Sequence, residues 1–190
     1  MTRINDVFAE SAANAEKLRR NVELHSCMGK AVEAMITAFR SGGRVLFCGN
    51  GGSAADAQHL AAEFSGRFYF DRPPLDSEAL HVNTSFLTAV ANDYDYNVTY
   101  ARLVLAKGRP GDVLVGITTS GNSKNILAAF EKAKEVGMVT VGMTGEGGGK
   151  LKGLSDILLE VPSNDTPRIQ EGHILIGHIL CELVEKGLFA

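Results

Sequence analysis

Four hydroxyl side chains fall within six positions in Thr118-Thr119-Ser120-Gly121-Asn122-Ser123, and this is the segment best suited to hold an anion. The apolar run Val113 to Ile117 precedes it and the amphipathic stretch Lys124 to Glu135 follows, so it reads as a turn from a buried strand into a helix. A helix start offers unpaired N–H groups and the positive end of the macrodipole, and short hydroxyls add donors without bulk. A phosphate dianion suits such a turn. The same residue types are also ordinary N-caps and turn formers, so the local pattern leaves both uses open.

A second turn, Gly49-Asn50-Gly51-Gly52-Ser53-Ala54, satisfies the G-x-G-x-x-[GA] dinucleotide pattern. A nucleotide-binding unit of that kind ends its second strand in an acidic residue for the ribose, whereas here the chain runs His81-Val82-Asn83-Thr84. The pattern therefore argues against an NAD-dependent oxidoreductase and leaves the glycines as a tight turn that a ligand can approach. The segment that follows carries His59 and Glu63, four residues apart and so on one helix face. They form half of a metal site, a proton-transfer base, or a solvated polar face. Arg67 either pairs with Glu63 or reaches a substrate anion. Asp93 either binds a sugar hydroxyl or caps the turn in Asn92-Asp93-Tyr94.

Near the C-terminus stand Gln170, Glu171, His173 and His178. Gln170 and His178 are separated by about 80° around a helix and roughly 12 Å along it, so only side chains leaning together could share a ligand. His173 lies about 140° from His178 and reads as a hydrogen-bonded core residue.

These residues need a scaffold that gathers distant turns, and the hydrophobic pattern supplies one. Short apolar runs at Val45–Cys48, Ala79–Val82, Val113–Ile117, Val139–Met143 and Ile157–Val161 alternate with helical segments, the signature of a parallel sheet covered on both faces. The helical segments are Ala54–Ser65, Ser85–Asn92, Val98–Ala106, Ile126–Val136, a short one near Lys150–Leu154, and Pro167 to Lys186. Residues 1–42 read as two helices broken near Asn21 to Gly29, packed on the domain or on a neighbouring subunit. In such a sheet ligands bind beyond the carboxyl ends of the strands, where the turns after Cys48, Val82 and Ile117 fall.

The 190 residues suit one domain, and 19 basic against 22 acidic residues, without a charged run, exclude a nucleic-acid footprint or a polybasic membrane patch. No apolar stretch approaches the ~20 residues that cross a bilayer. Cys27, Cys48 and Cys181 are odd in number and form no C-x-x-C, and no signal-peptide pattern opens the chain, so reduced thiols and a cytoplasmic location are expected.

Taken in order, Cys48-Gly49-Asn50-Gly51-Gly52-Ser53, His59-x-x-x-Glu63, Ala91-Asn92-Asp93-Tyr94, Thr119-Ser120-Gly121-Asn122-Ser123 and Arg168-Ile169-Gln170-Glu171-x-His173 resemble the sugar isomerase (SIS) domain family and, within it, the phosphoheptose isomerases. The likeness covers nearly the whole chain. It implies a single SIS domain over 1–190: a flavodoxin-like three-layer α/β sandwich with a five-stranded parallel sheet plus an N-terminal helix pair. It also implies isomerisation of D-sedoheptulose 7-phosphate to D-glycero-D-manno-heptose 7-phosphate for ADP-heptose, lipopolysaccharide core or surface-glycan synthesis, in a cytoplasmic homotetramer.

Carried over by position, the resemblance makes Glu63 the general base and His178 the general acid. Asn50, Gly51, Gly52 and Ser53 line the substrate, and Ser53, Thr118, Thr119, Ser120 and Ser123 hold its phosphate. Arg67, Asn92, Asp93 and Gln170 orient the sugar. His59, Glu63, Gln170 and His178 match the residues through which some members bind one zinc ion per subunit, and no organic cofactor is implied. Two positions depart from the family: Thr118 stands where the loop often begins with serine, and Pro167 stands where some members have an acidic residue, leaving Asp165 or Thr166 as neighbours that could substitute. The competing reading is a non-catalytic SIS protein that senses a sugar phosphate or binds a replication initiator. Such relatives lose the Glu63-type carboxylate or the His178-type imidazole, and this chain has both.

Overall fold

The computed structural model describes residues 2–190. Alternating apolar side chains divide between the two faces of a parallel sheet. Val45, Phe47, Val113, Val115, Ile117, Val141 and Met143 join one core, whereas Leu46, Cys48 and Leu114 join the other. The strands are β1 (Val45–Gly49), β2 (Ser77–Ala79), β3 (Val113–Ile117), β4 (Val139–Thr144) and β5 (Ile157–Glu160). They pair in parallel in the order β2-β1-β3-β4-β5, the flavodoxin-like order, whose reversal lies between β1 and β3.

The helices are α1 (Thr2–Arg20), α2 (Val22–Arg40), α3 (Gly52–Ser65), α4 (Thr84–Asp93), α5 (Thr99–Lys107), α6 (Lys124–Val136) and α7 (Thr166–Phe189). Two short 3-10 turns, Tyr96–Val98 and Gly149–Gly153, complete the chain. Helices α2, α3 and α7 cover one face of the sheet, and α5 and α6 cover the other. Gly116 shows how closely α6 lies on β3: a Cβ there would stand 2.3 Å from the Phe130 ring.

Two boundaries differ from the sequence pattern. The second strand is Ser77–Ala79, so the apolar run at Ala79–Val82 overlaps it by one residue. Backbone pairing decides this. Val45, Leu46 and Phe47 take Ser77, Glu78 and Ala79 as partners, and the Leu80 N–H still reaches the Phe47 carbonyl before the chain turns toward Asn83. Asn83 then caps α4, its Oδ1 accepting from the Phe86 N–H at 3.0 Å. The N-terminal helices are parted by Asn21 alone, whose Oδ1 caps α2 by accepting from the Leu24 N–H at 2.9 Å. The polar residues up to Gly29 remain helical because Leu24 and Met28 are buried beneath them.

Helix α2 is part of the core, whereas α1 buries only Asn14 and Leu18 and exposes Ile4 and Phe8. Between this pair and α7 runs an apolar groove lined by Leu18, Leu24, Met28, Leu175, Ile179 and Leu183. No helix among the described residues is long and apolar enough to cross a membrane.

Candidate active site

The crevice at the β1/β3 reversal receives the starts of α3 and α6, and neither start is capped by its own side chain. Gly51, the cap residue of α3, has no side chain to offer and adopts φ 57°. Ser123 stands at the cap of α6, but its hydroxyl faces Thr118 Oγ1 at 2.9 Å and makes no bond to the helix. Among the described residues the N–H groups of Gly52 in α3 and of Lys124 and Asn125 in α6 have no hydrogen-bond partner and are left for a ligand, beside the hydroxyls of Ser120 and Thr119, whereas Ser53 and Ile126 already donate to the carbonyls of Asn50 and Ser123. Gly121 is required in this loop: its φ is 65°, and a Cβ would lie 2.1 Å from the Gly148 carbonyl oxygen. Asn122 braces the same turn, donating to the Ser120 carbonyl at 2.7 Å and accepting from the Lys150 N–H at 3.1 Å.

The two loops are stitched across the crevice. Asn50 Nδ2 donates to Asn125 Oδ1 at 2.9 Å, Asn125 Nδ2 donates back to Asn50 Oδ1 at 2.8 Å, and the Tyr96 hydroxyl adds a third bond to Asn50 Oδ1 at 3.0 Å. Asn125 and Tyr96 escaped the sequence reading. An asparagine in a first helical turn is common, and nothing local announces a partner on another strand's loop. Ser53 and Thr118 are buried at the base of the crevice.

Helices α3 and α7 lie side by side, with Gln170 against Gly52, Gly177 against Leu60, and His178 against His59. Close approach at one of these contacts needs a glycine, since a Cβ on Gly177 would meet the Leu60 side chain at 2.6 Å. Along α3 this arrangement places His59 ~9 Å beyond Ser53 by helical rise. His59 Nε2 lies 3.0 Å from Glu63 Oε1 and 3.4 Å from His178 Nε2, so an imidazole and a carboxylate from different helices share one neighbour. Phe68 flanks the His178 ring, with centroids 5.8 Å apart. Asp56, one turn before His59, has a buried and unpaired Oδ2, and burial raises its carboxyl while any charge on His59 or His178 works the other way.

The remaining candidates are more dispersed. Asn92 donates to Asp93 Oδ1 at 2.9 Å at the exposed end of α4, in the segment that leads to Tyr96. Arg67 is exposed just past the end of α3. Among the described residues no hydrogen bond or ion pair links Arg67, Asn92 or Asp93 to His59, Glu63 or His178. Gln170 rests its amide on Gly52, at the start of α3 and not beside His59. Asp165 precedes α7 with its side chain exposed, and Pro167 lies in the first turn, where the missing N–H costs no helical bond. His173 is a core residue: it is fully buried, its Nε2 meets the Thr144 carbonyl at 3.1 Å, and burial depresses its pKa to about 4.

A metal would find donors of the right kind here, though not a finished cage. A tetrahedral ion with ligands at 2.0–2.1 Å spaces them by about 3.3 Å, close to the two contacts that His59 makes. His59, Glu63 and His178 supply nitrogen and carboxylate oxygen, which suits zinc. Among the described residues, however, no three His, Cys, Asp or Glu are arranged to hold an ion, and Gln170 faces Gly52. Cys48 and Cys181 are buried, and burial raises both thiols.

Comparison with known proteins agrees with the fold. Residues 9–145 match the SIS domain family model. The chain is 51% identical over 189 residues to the phosphoheptose isomerase of Burkholderia pseudomallei strain 1710b, covering 100% of this chain and 96% of that protein. It is 53% identical over 174 residues to the phosphoheptose isomerase of Clostridium acetobutylicum, covering 92% and 89%. A solved phosphoheptose isomerase from Neisseria gonorrhoeae superposes with a TM-score of 0.91 at 42% identity, over 97% of this chain and 98% of that one.

Proposed function

We propose a division of roles for a chain that belongs to the SIS-domain family and, within it, to the phosphoheptose isomerases: the β1/β3 crevice holds the phosphate, while Glu63 and His178 move the protons. The protein is an aldose–ketose isomerase that converts D-sedoheptulose 7-phosphate to D-glycero-D-manno-heptose 7-phosphate. Its full-length likeness to enzymes does not favour the sensor reading.

In the forward direction Glu63 takes a proton from C1 of the ketose and the C1–C2 enediol forms. The same carboxyl returns the proton to C2. His178 gives a proton to the C2 oxygen as the carbonyl opens and accepts one from the C1 hydroxyl as the aldehyde forms, so the proton count closes without redox chemistry. The observation that carries this assignment is the contact chain from His178 through His59 to Glu63, at 3.4 and 3.0 Å. Ser53, Thr118, Thr119, Ser120 and Ser123, with the N–H groups of Gly52, Lys124 and Asn125, hold the phosphate. Asn50, Gly51 and Gly52 line the sugar, and Arg67, Asn92, Asp93 and Gln170 orient it.

Zinc is the metal these residues suit, and His59, Glu63 and His178 would hold it, with Gln170 joining if its amide left Gly52. A bound zinc ion would stabilise negative charge developing on the substrate oxygens. The apolar groove beside α1 and the exposed Ile4 and Phe8 support self-association as a homotetramer, in which Arg67, Asn92 and Asp93 could complete a neighbour's site. A cytoplasmic location and a role in supplying heptose for ADP-heptose and surface glycans follow from the same reading.

The test is conversion of sedoheptulose 7-phosphate by the wild type, Glu63→Gln and His178→Ala, each with and without a chelator. Turnover in both variants equal to wild type would remove the assigned roles. Elemental analysis after metal supplementation should give about one zinc per subunit, and a metal-free protein with full turnover would remove zinc from the reading.

A further inference from the structure

A buried ion pair sits behind the proposed acid/base pair. Glu185, near the end of α7, and Arg72, in the loop after α3, are each 1% exposed at the side chain, and Arg72 Nε donates to Glu185 Oε1 at 2.9 Å. Every other hydrogen bond of these side chains goes to backbone. Glu185 accepts the N–H groups of Phe68, Tyr69 and Phe70 at 3.0, 2.6 and 3.0 Å. Arg72 donates to the carbonyls of Phe64 at 2.8 Å, Gly66 at 3.3 Å and Pro73 at 3.1 Å through one nitrogen, and to the Glu63 carbonyl at 2.9 Å through the other. Burial alone would raise the Glu185 carboxyl, but the three N–H donors and the guanidinium outweigh it and hold the group below its usual value.

The location of these bonds suggests more than stability. A helix ends with four unpaired carbonyls, and those of α3 at Glu63 and Phe64 are claimed by Arg72. The three N–H groups claimed by Glu185 belong to a segment that begins with Phe68, the residue flanking His178. One ion pair therefore fixes the backbone that carries the proposed base and the aromatic wall beside the proposed acid. Neither charge touches the crevice.

We infer that Arg72 and Glu185 are positioning residues for the isomerisation, holding Glu63 on α3 and, through Phe68, His178 on α7 in mutual register. This inference rests on the assignment of Glu63 and His178 above. Displacing a proton-transfer group by about 1 Å can lower turnover up to a hundredfold without weakening a distant phosphate grip.

The experiment uses Arg72→Lys and Glu185→Gln, which preserve one charge or one acceptor, with Phe68→Leu and Glu63→Gln assayed in parallel. Folding is checked by circular dichroism, and kinetics are measured well below each variant's thermal transition. The expected result is a ten- to hundredfold fall in kcat for Arg72→Lys and Glu185→Gln, with KM and the inhibition constant of inorganic phosphate within about twofold of wild type. Phe68→Leu should show a smaller fall of the same kind. Folded variants with wild-type kcat overturn the inference, as does a loss shared equally by kcat and phosphate affinity. Should both ion-pair variants fail to fold, Phe68→Leu decides, and wild-type kcat there overturns it. If Glu63→Gln keeps full turnover, the acid/base assignment itself has failed, a result distinct from normal turnover in Arg72→Lys alone.

Discussion

At the proposed phosphate end of the site the donors belong to turns that follow β1 and β3 directly, whereas at the proposed proton-transfer end they are side chains on two helices whose contacting residues, His59 and His178, are 119 positions apart. The first end is fixed mainly by backbone: uncapped helix starts, a glycine at φ 65°, and a loop tied to its neighbours by Asn122 and by the Asn50–Asn125 pair. The second depends on how α3 and α7 pack, on Gly177 admitting Leu60, and on the Arg72–Glu185 pair at their far ends. On the proposed roles, binding the phosphate is preorganised within strand–turn–helix units. Proton transfer by Glu63 and His178, as proposed, requires the tertiary fold to be right.

Perturbing each end separately tests that contrast. The largest effect is expected from Glu63→Gln, which should lower kcat by about 10²–10⁴-fold while inorganic phosphate still competes with near-normal affinity. A matching loss of phosphate affinity, read from inhibition constants, would mean the two ends are not separable.

Acid should act on a strut between them. His173, on α7, bonds the carbonyl of Thr144, and the next residue, Gly145, donates its N–H to the Thr119 carbonyl in the proposed phosphate loop. The folded pKa of His173, about 4, lies below the usual histidine value of 6.5. Between these limits the unfolded chain binds a proton that the folded chain refuses, so stability is full above pH 6.5 and falls as pH drops toward 4. The loss should be roughly 3 kcal/mol, measured by urea denaturation across that range, and should shrink in His173→Gln. An unchanged pH dependence in that variant would assign the loss to other groups.

Gly121→Ala comes next. The left-handed φ and the close Gly148 carbonyl should cost about 1–3 kcal/mol, seen as a raised KM for sugar phosphate with kcat little changed. Smallest is Ser120→Ala, which removes one exposed donor: about 0.5–1.5 kcal/mol, or a several-fold weaker phosphate inhibition constant. Intact affinity there would place the phosphate elsewhere in the crevice.

The same contrast explains what could be read before the structure. The α/β class, the parallel sheet and the helices from α3 to α7 were legible because buried strands and amphipathic helices impose different periods on apolar residues. The strand at Ser77–Ala79 was not, since its two partly exposed polar residues carry no apolar period and only pairing with β1 defines it. Among site residues, the turns at Gly49–Ala54 and Thr118–Ser123 announced themselves by composition. Asn125 and Tyr96 did not, because their roles depend on Asn50 reaching across from another strand. Arg72 and Glu185 were equally silent: a charged residue in a loop and another near a helix end look solvated until the fold removes the water from both.

By itself, then, the sequence determined the local pieces of this protein: a hydroxyl-rich helix start, an i,i+4 His/Glu pair and an apolar final helix, each governed by neighbours within a few positions. Only the tertiary structure decided that His178 meets His59, that Gln170 lies on Gly52, that the core residue His173 bonds the Thr144 carbonyl, and that a buried ion pair backs the proposed base. The physical reason is range. Caps, turns and helix faces are set by the chain's own geometry over one or two turns, whereas the distance between two helices is set by the summed packing of all the residues between them.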